Sequence, residues 1–220
     1  MRLVLIIFLC VGTLAGGEWR QLFDGKDLDG WEHIGKGRVY VEDGLMKTDG
    51  GMGLLVYTKE KFGNCRLRVV YRTTTVDDNS GVYIRLPAVP KDVWEAVNTG
   101  YEVQILQSWP KNYEMSKHQK KYGIHWHTTG ALYSIAEAKK HPQKGPGQWN
   151  RMEIVLDGPH TQVYLNGELV TDYREGQKVP PRQHWYEPKR GRRPDFGYIG
   201  IQNHHEPQVV EFKEVAVQKD

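Results

Sequence analysis

The chain has 220 residues, a formal net charge of +3, and 26% charged residues. That near balance argues against a protein organised around nucleic acid phosphates. The one long apolar run, residues 3–14, falls well short of the roughly 18 to 20 residues that cross a bilayer, and no later segment comes close, so membrane insertion is not expected.

In chain order, Arg2, the apolar run and then Ala15, Gly16 and Gly17 have the layout of a secretory signal, residues 1–17. The expected location is secreted or periplasmic, with one mature domain over residues 18–220. Removing the signal removes Cys10 and leaves Cys65 without an intramolecular disulfide partner, so Cys65 reads as a small buried hydrophobe. FDGKDLDGW contains Asp24, Asp27 and Asp29, which could hold calcium through oxygen ligands but also read as two aspartate-glycine turns.

Short period-2 runs follow. Leu67, Val69 and Tyr71 alternate in RLRVVYR, Val82 and Ile84 in GVYIR, Val103 and Ile105 in YEVQIL, and Met152, Ile154 and Leu156 in RMEIVLD. Residues 110–128 and 176–195 lack a strand pattern. Within or beside them, HWH would place His125 and His127 on one side of an extended segment, IAEAKKH (135–141) could form one helical turn, and PKRGRRP (188–194) reads as a solvated basic loop. Asn166-Gly167 in VYLNGELV predicts a tight type I′ hairpin, because both residues tolerate positive φ. Phe212, Val215 and Val217 break alternation at Lys213-Glu214, which predicts a bulge in the last strand. Trp31 and Trp149, beside strand starts, read as core.

Many short antiparallel strands imply an all-β, two-sheet jelly-roll sandwich. Successive strand residues face opposite ways, so each run also names an outward set. These sets are Gly81, Tyr83 and Arg85; Glu102 and Gln104; and Gly200, Gln202 and His204. If the three strands are neighbours, amide, carboxylate, guanidinium and imidazole groups share one face, and glutamine and arginine suit sugar hydroxyls. The plainer reading is an ordinary solvated face. Asn79 in DNSG is a turn residue or a sugar contact. No nucleophile elbow, phosphate loop or HExxH helix is present, and no metal ligands are assigned.

The ordered motifs LFDGKDLDGW, VEDGLM, GGMGLLVYTKEKFGNCRLRVVYR, NSGVYIR, GYEVQIL, TGALY, GQWNRMEIVLDG, VYLNGELVTDY and GYIGIQNHH resemble the 3-keto-disaccharide hydrolase domain family, formerly a domain of unknown function. The resemblance implies a concanavalin A-like jelly roll, frequent in exported bacterial proteins, that hydrolyses glycosides whose sugar carries a ketone at C3. The chain departs from the family at Gln107, where an acidic residue is common, and in the basic, aromatic stretch up to His127.

A C3 ketone acidifies the C2 hydrogen. Removal of that hydrogen gives an enolate that expels the C1 oxygen, and water then adds to the unsaturated sugar. Such a reaction needs a base, an enolate stabiliser and a donor to the leaving oxygen. His204 is the expected base, since imidazole titrates near neutrality. Arg85 is the expected enolate stabiliser, and Glu102 an alternative base or an orienting partner for Arg85. Gln104, Gln202, Tyr133, Tyr83 and Asn79 are expected to meet sugar hydroxyls. Arg85 and Glu102 read equally well as a cross-strand ion pair, and Tyr133 as a core-edge anchor. The competing function is a non-catalytic, lectin-like sugar-binding module.

Overall fold

Alternating apolar residues become strands only where each can bury one face, and here they do so in two sheets. The computed structural model describes residues 17–107, 124–205 and 209–219. Most of the expected signal and much of the 110–128 segment therefore lie outside the described residues. The strands are β1 (Arg20–Phe23), β2 (Trp31–Gly35), β3 (Arg38–Glu42), β4 (Leu45–Asp49), β5 (Gly53–Phe62), β6 (Cys65–Thr73), β7 (Asn79–Leu86), β8 (Tyr101–Leu106), β9 (Asn150–Asp157), β10 (His160–Leu165), β11 (Glu168–Arg174), β12 (Gly197–Asn203) and β13 (Val210–Lys219). The larger sheet runs β11-β10-β9-β6-β13-β4-β3, with β1 also paired to β13. The smaller runs β2-β5-β12-β7-β8. This is the antiparallel jelly-roll sandwich that the alternation implies.

Between the sheets, Leu67, Val69, Met152, Ile154 and Val215 meet Leu55, Val82, Val103, Ile199 and Ile201, all buried in one cluster. Cys65 is buried at the start of β6. Asn166 and Gly167 take φ of 50° and 89°, closing the β10–β11 hairpin. The register of β13 against β6 slips between Phe212 and Glu214, the expected bulge. Trp31 packs against the core edge, its Nε1 donating to Leu22 O at 2.8 Å. Trp149 is not core: it lies between the cations of Arg72 and Lys213.

The outward face of the smaller sheet is partly covered. Leu54, Val56, Tyr83 and Leu86 pack beneath Val93, Ala96 and Val97 of a short helix, α1 (Val93–Thr99). Asp92 caps it by accepting from Glu95 N at 2.8 Å, and Gly100 closes it by donating to Ala96 O. Beyond β8 the backbone of residues 130–133 continues the sheet: Gly130 N donates to Gln104 O, Gln104 N to Ala131 O and Tyr133 N to Glu102 O, each at 2.9 Å. The helical turn expected at 135–141 does not form, because Ala136 instead bridges back to Leu132. Among the described residues no helix is long and apolar enough to cross a membrane.

Candidate functional site

The three strands whose outward sets are polar are neighbours, in the order β12-β7-β8. Tyr83 stands opposite Glu102 and Gly81 opposite Gln104, while Gly200 faces Tyr83 from the other side. A carboxylate, two carboxamides and a phenol therefore share this face.

Glu102 is its centre. Tyr83 Oη donates to Glu102 Oε2 at 3.2 Å, and the Gln202 side chain donates to the same carboxyl. A Cβ on Gly81 would stand 2.6 Å from Glu102 Oε1, so the absent side chain is what lets the carboxyl lie across β7. Val97, Tyr101, Tyr133 and Pro188 complete the walls. Glu102 keeps part of its surface exposed, and the desolvation of its carboxyl pushes it up to about 8, against the opposing pull of the Tyr83 and Gln202 hydrogen bonds. Burial first, and the nearby Glu102 charge second, hold the Tyr83 hydroxyl well above its ordinary value, so it stays a donor.

Gln104 Oε1, Gln202 Oε1 and Asn79 Oδ1 are buried without a hydrogen-bond partner among the described residues. Buried amide oxygens are normally paired, and orphans on one sheet face are acceptors suited to hydroxyl donors.

Tyr133 is partly exposed and stacks on His127, with ring centroids 4.5 Å apart. His127 is buried, its Nε2 2.7 Å from Ser134 Oγ. Ser134 holds a φ of 58°, a left-handed conformation that costs about 1 kcal/mol or more for a residue with a side chain. Sequence reasoning missed this support for Tyr133. A 3-10 turn (Ile124–Trp126) breaks the extended geometry assumed for HWH, so His125 contacts exposed His141 at 2.9 Å while His127 turns inward.

Arg85 does not join Glu102. Tyr198 pairs with Leu86 but Gly200 pairs with Tyr83, which puts one extra residue in β7. Arg85 takes a φ of 59° at this bulge, and its buried side chain turns towards the larger sheet. Its guanidinium donates to Gly158 O at 2.7 Å, His160 O at 3.2 Å, Thr161 Oγ1 at 3.3 Å and Pro194 O at 3.2 Å. The expected enolate stabiliser is a strut between sheets, and the expected Arg85–Glu102 ion pair is absent.

His204 lies past the end of β12, two residues beyond Gln202. It is partly buried, its ring contacts His205 with centroids 4.1 Å apart, and it is not a wall of the Glu102 pocket. The adjacent Asn203 is fully buried: its Nδ2 donates to Lys36 O, Gly50 O and Gly51 O, and its Oδ1 meets His33 Nε2 at 3.0 Å. Gln107, the departure from the family pattern, ties Thr73, Gln143 and Lys144 together.

Asp24 and Asp27 accept from Lys26 N and Asp29 N, as aspartate turns do, and Asp29 pairs with Lys59. Among the described residues no group of three or more His, Cys, Asp or Glu is placed to hold a metal ion. The basic 188–194 segment is solvated only in part: Lys189, Gly191 and Arg192 are exposed, whereas Arg193 is buried against Gly100 O, Gly191 O and Lys189 O, and Arg190 donates to Pro180 O and Glu187.

Comparison with known proteins agrees with this architecture. A candidate glycosyl hydrolase from Parabacteroides distasonis superimposes with a TM-score of 0.72 at 24% identity, covering 92% of this chain and 100% of that one. The carbohydrate binding module CBM66 from Bacillus subtilis follows the same fold at a TM-score of 0.56 and 14% identity, over 86% of this chain and 96% of that one. In sequence, a 3-keto-disaccharide hydrolase from Bacteroides thetaiotaomicron is 27% identical over 172 residues, 69% of this chain. The match spans 57% of that relative's length. Residues 18–218 match the model of the 3-keto-alpha-glucoside-1,2-lyase-like domain, and the chain belongs to that family.

Proposed function

We propose that this protein is an exported enzyme that cleaves 3-keto-glycosides by elimination and hydration, with Glu102 as its proton-transfer group. The observation that carries the reading is a carboxyl held at about 8 on the same sheet face as three orphaned amide oxygens, in a chain whose relative is named for this substrate class. A carboxylate of ordinary pKa is a weak base, and one near 8 is matched to a carbon acid at neutral pH. Glu102 takes the C2 hydrogen as the C2–H pair forms the enolate. The enolate then collapses to a C1–C2 double bond as the C1–O bond breaks, and the leaving oxygen takes the proton that Glu102 removed from C2, which returns Glu102 to its carboxylate. Water then adds its oxygen to C1 and a hydrogen to C2, restoring the ketone-bearing sugar. Tyr83 keeps Glu102 aligned, Gln104, Gln202 and Asn79 accept from sugar hydroxyls, and Tyr133 flanks the pocket. His204 is a second candidate for proton transfer from the strand end; Arg85 has no part in the chemistry. The space beside the carboxyl is about 10 Å³, room for one water, so turnover requires a wall such as Tyr133 to shift.

The test is incubation of the purified mature protein with a 3-keto-disaccharide, with and without calcium. Release of free sugar, abolished by Glu102→Gln while glycan binding persists, supports the reading. Unimpaired glycan binding with no release by the wild type gives the site to a non-catalytic sugar-binding module instead. Export is tested separately: the mature protein should be recovered outside the cytoplasm with an N-terminus near residue 18.

A further inference from the structure

Two tryptophans stand on the two elements that wall the Glu102 pocket, Trp94 on α1 with Val97 and Trp185 on the loop that carries Pro188, and neither belongs to the chemistry described above. Trp185 is 70% exposed and Trp94 is 38% exposed, with ring centroids 4.7 Å apart and planes inclined at 55°. Exposing an indole to water forgoes one of the largest burial gains a side chain can make. The loop that presents Trp185 is nevertheless built firmly. Glu187 is fully buried and accepts from Arg190 Nη2 and Gln183 N at 3.0 Å each, while Arg182 Nε donates to Glu187 O at 3.0 Å. Lys189 N donates to Asn98 Oδ1 of α1, and Asn98 Nδ2 donates to Trp94 O, so loop and helix are joined behind the two rings.

The same two elements wall the carboxyl. Val97, three residues after Trp94 and so adjacent on the helix surface, lines the Glu102 pocket, as does Pro188, three residues after Trp185. Once a wall shifts to admit substrate, a ligand that enters between Val97 and Pro188 passes the two elements that present the indoles.

We infer that Trp94 and Trp185 form a second sugar subsite, an aromatic platform for the ring beyond the one that meets Glu102. The ligand class is a pyranose of a di- or oligosaccharide, whose axial C–H face packs on an indole while its hydroxyls stay in water; the more exposed ring, Trp185, offers such a face, and Trp94, inclined to it, flanks the sugar. The inference rests on the proposed reaction only for which ring sits at Glu102. Binding by the platform itself does not depend on turnover.

The experiment is calorimetric titration of the full mature protein with α- and β-linked glucose disaccharides and with glucose, using wild type, Trp185→Ala, Trp94→Ala and Glu102→Gln. Both tryptophan variants are expected to bind at least one disaccharide about three- to tenfold more weakly, with glucose affinity and melting temperature unchanged. Glu102→Gln should keep the disaccharide preference. An unchanged disaccharide affinity in both tryptophan variants overturns the subsite, as does a wild type that binds no disaccharide more tightly than glucose. A dimeric wild type made monomeric by Trp185→Ala without loss of sugar binding also overturns it, in favour of self-association. Failure of the reaction reading looks different: no release from 3-keto-disaccharides, with tryptophan-dependent binding intact.

Discussion

Glu102 meets two opposing demands, since a carboxyl must be desolvated to become a stronger base and must still ionise to act as one. Burial raises it to about 8 and the donors Tyr83 and Gln202 limit the rise, so near neutral pH a minor fraction is ionised and that fraction grows with pH. If Glu102 removes the C2 hydrogen, kcat/KM should climb between pH 6 and 8 and level off above. Tyr83→Phe should shift that rise upward, because it removes a donor to the ionised form. A flat pH profile, or the same profile in Tyr83→Phe, rules out this role. Arg85 makes the contrasting case. Arg85→Met strips donors from the carbonyls of Gly158, His160 and Pro194 in a buried site, at a cost of about 3 kcal/mol. The melting temperature should fall by roughly 6 to 12 °C, while kcat/KM per folded molecule at a permissive temperature stays within about twofold. A large loss of kcat with normal stability would restore Arg85 to the reaction.

At the scale of elements, the helix α1 carries both Val97, a wall of the carboxyl pocket, and Trp94. Its N-terminus rests on Asp92, so Asp92→Ala should cost about 1 kcal/mol, seen in thermal unfolding, and should raise KM more than it lowers kcat if α1 only positions walls. Equal losses in both would mean that the helix shapes the reacting centre. This element is hard to read in the sequence because seven residues show fewer than two turns of periodicity; the available signal was Asp92 followed by Glu95 and, at the far end, Gly100. Strands were legible because period-2 alternation needs only four or five residues, and Asn166-Gly167 specifies its turn through backbone sterics alone. The outward set of β7 was legible as far as Tyr83 and failed at Arg85, since alternation carries no mark of where an extra residue enters the ladder. The pairing of His127 with Ser134 was likewise hidden: it depends on a 3-10 turn that reverses the expected facing of HWH.

For the molecule as a whole, a raised carboxyl is a stability cost with a definite pH window. The folded protein holds the Glu102 proton up to about pH 8, whereas the unfolded chain releases it near 4.5. Between those values the native state binds more protons than the unfolded state, so this group makes stability fall as pH rises, with no penalty below about 4.5 and the full penalty above about 8. Asp172 acts with the opposite sign: the hydrogen bond with His160 lowers its pKa, so its contribution is present above the unfolded value and is lost on acidification. Comparing wild type with Glu102→Gln cancels Asp172 and every other shared group. The two proteins should be about equally stable at pH 4.5, and the variant should be more stable at pH 9 by on the order of 1 to 3 kcal/mol, measured by urea unfolding at both pH values. The same difference at both would mean that Glu102 ionises as easily folded as unfolded. In that case the carboxyl is solvated and is not a base matched to neutral pH. A gain confined to high pH would instead show that the sandwich spends folding free energy to keep one poorly solvated carboxyl beside its sugar-facing amides, a cost that a purely sugar-binding face has no reason to carry.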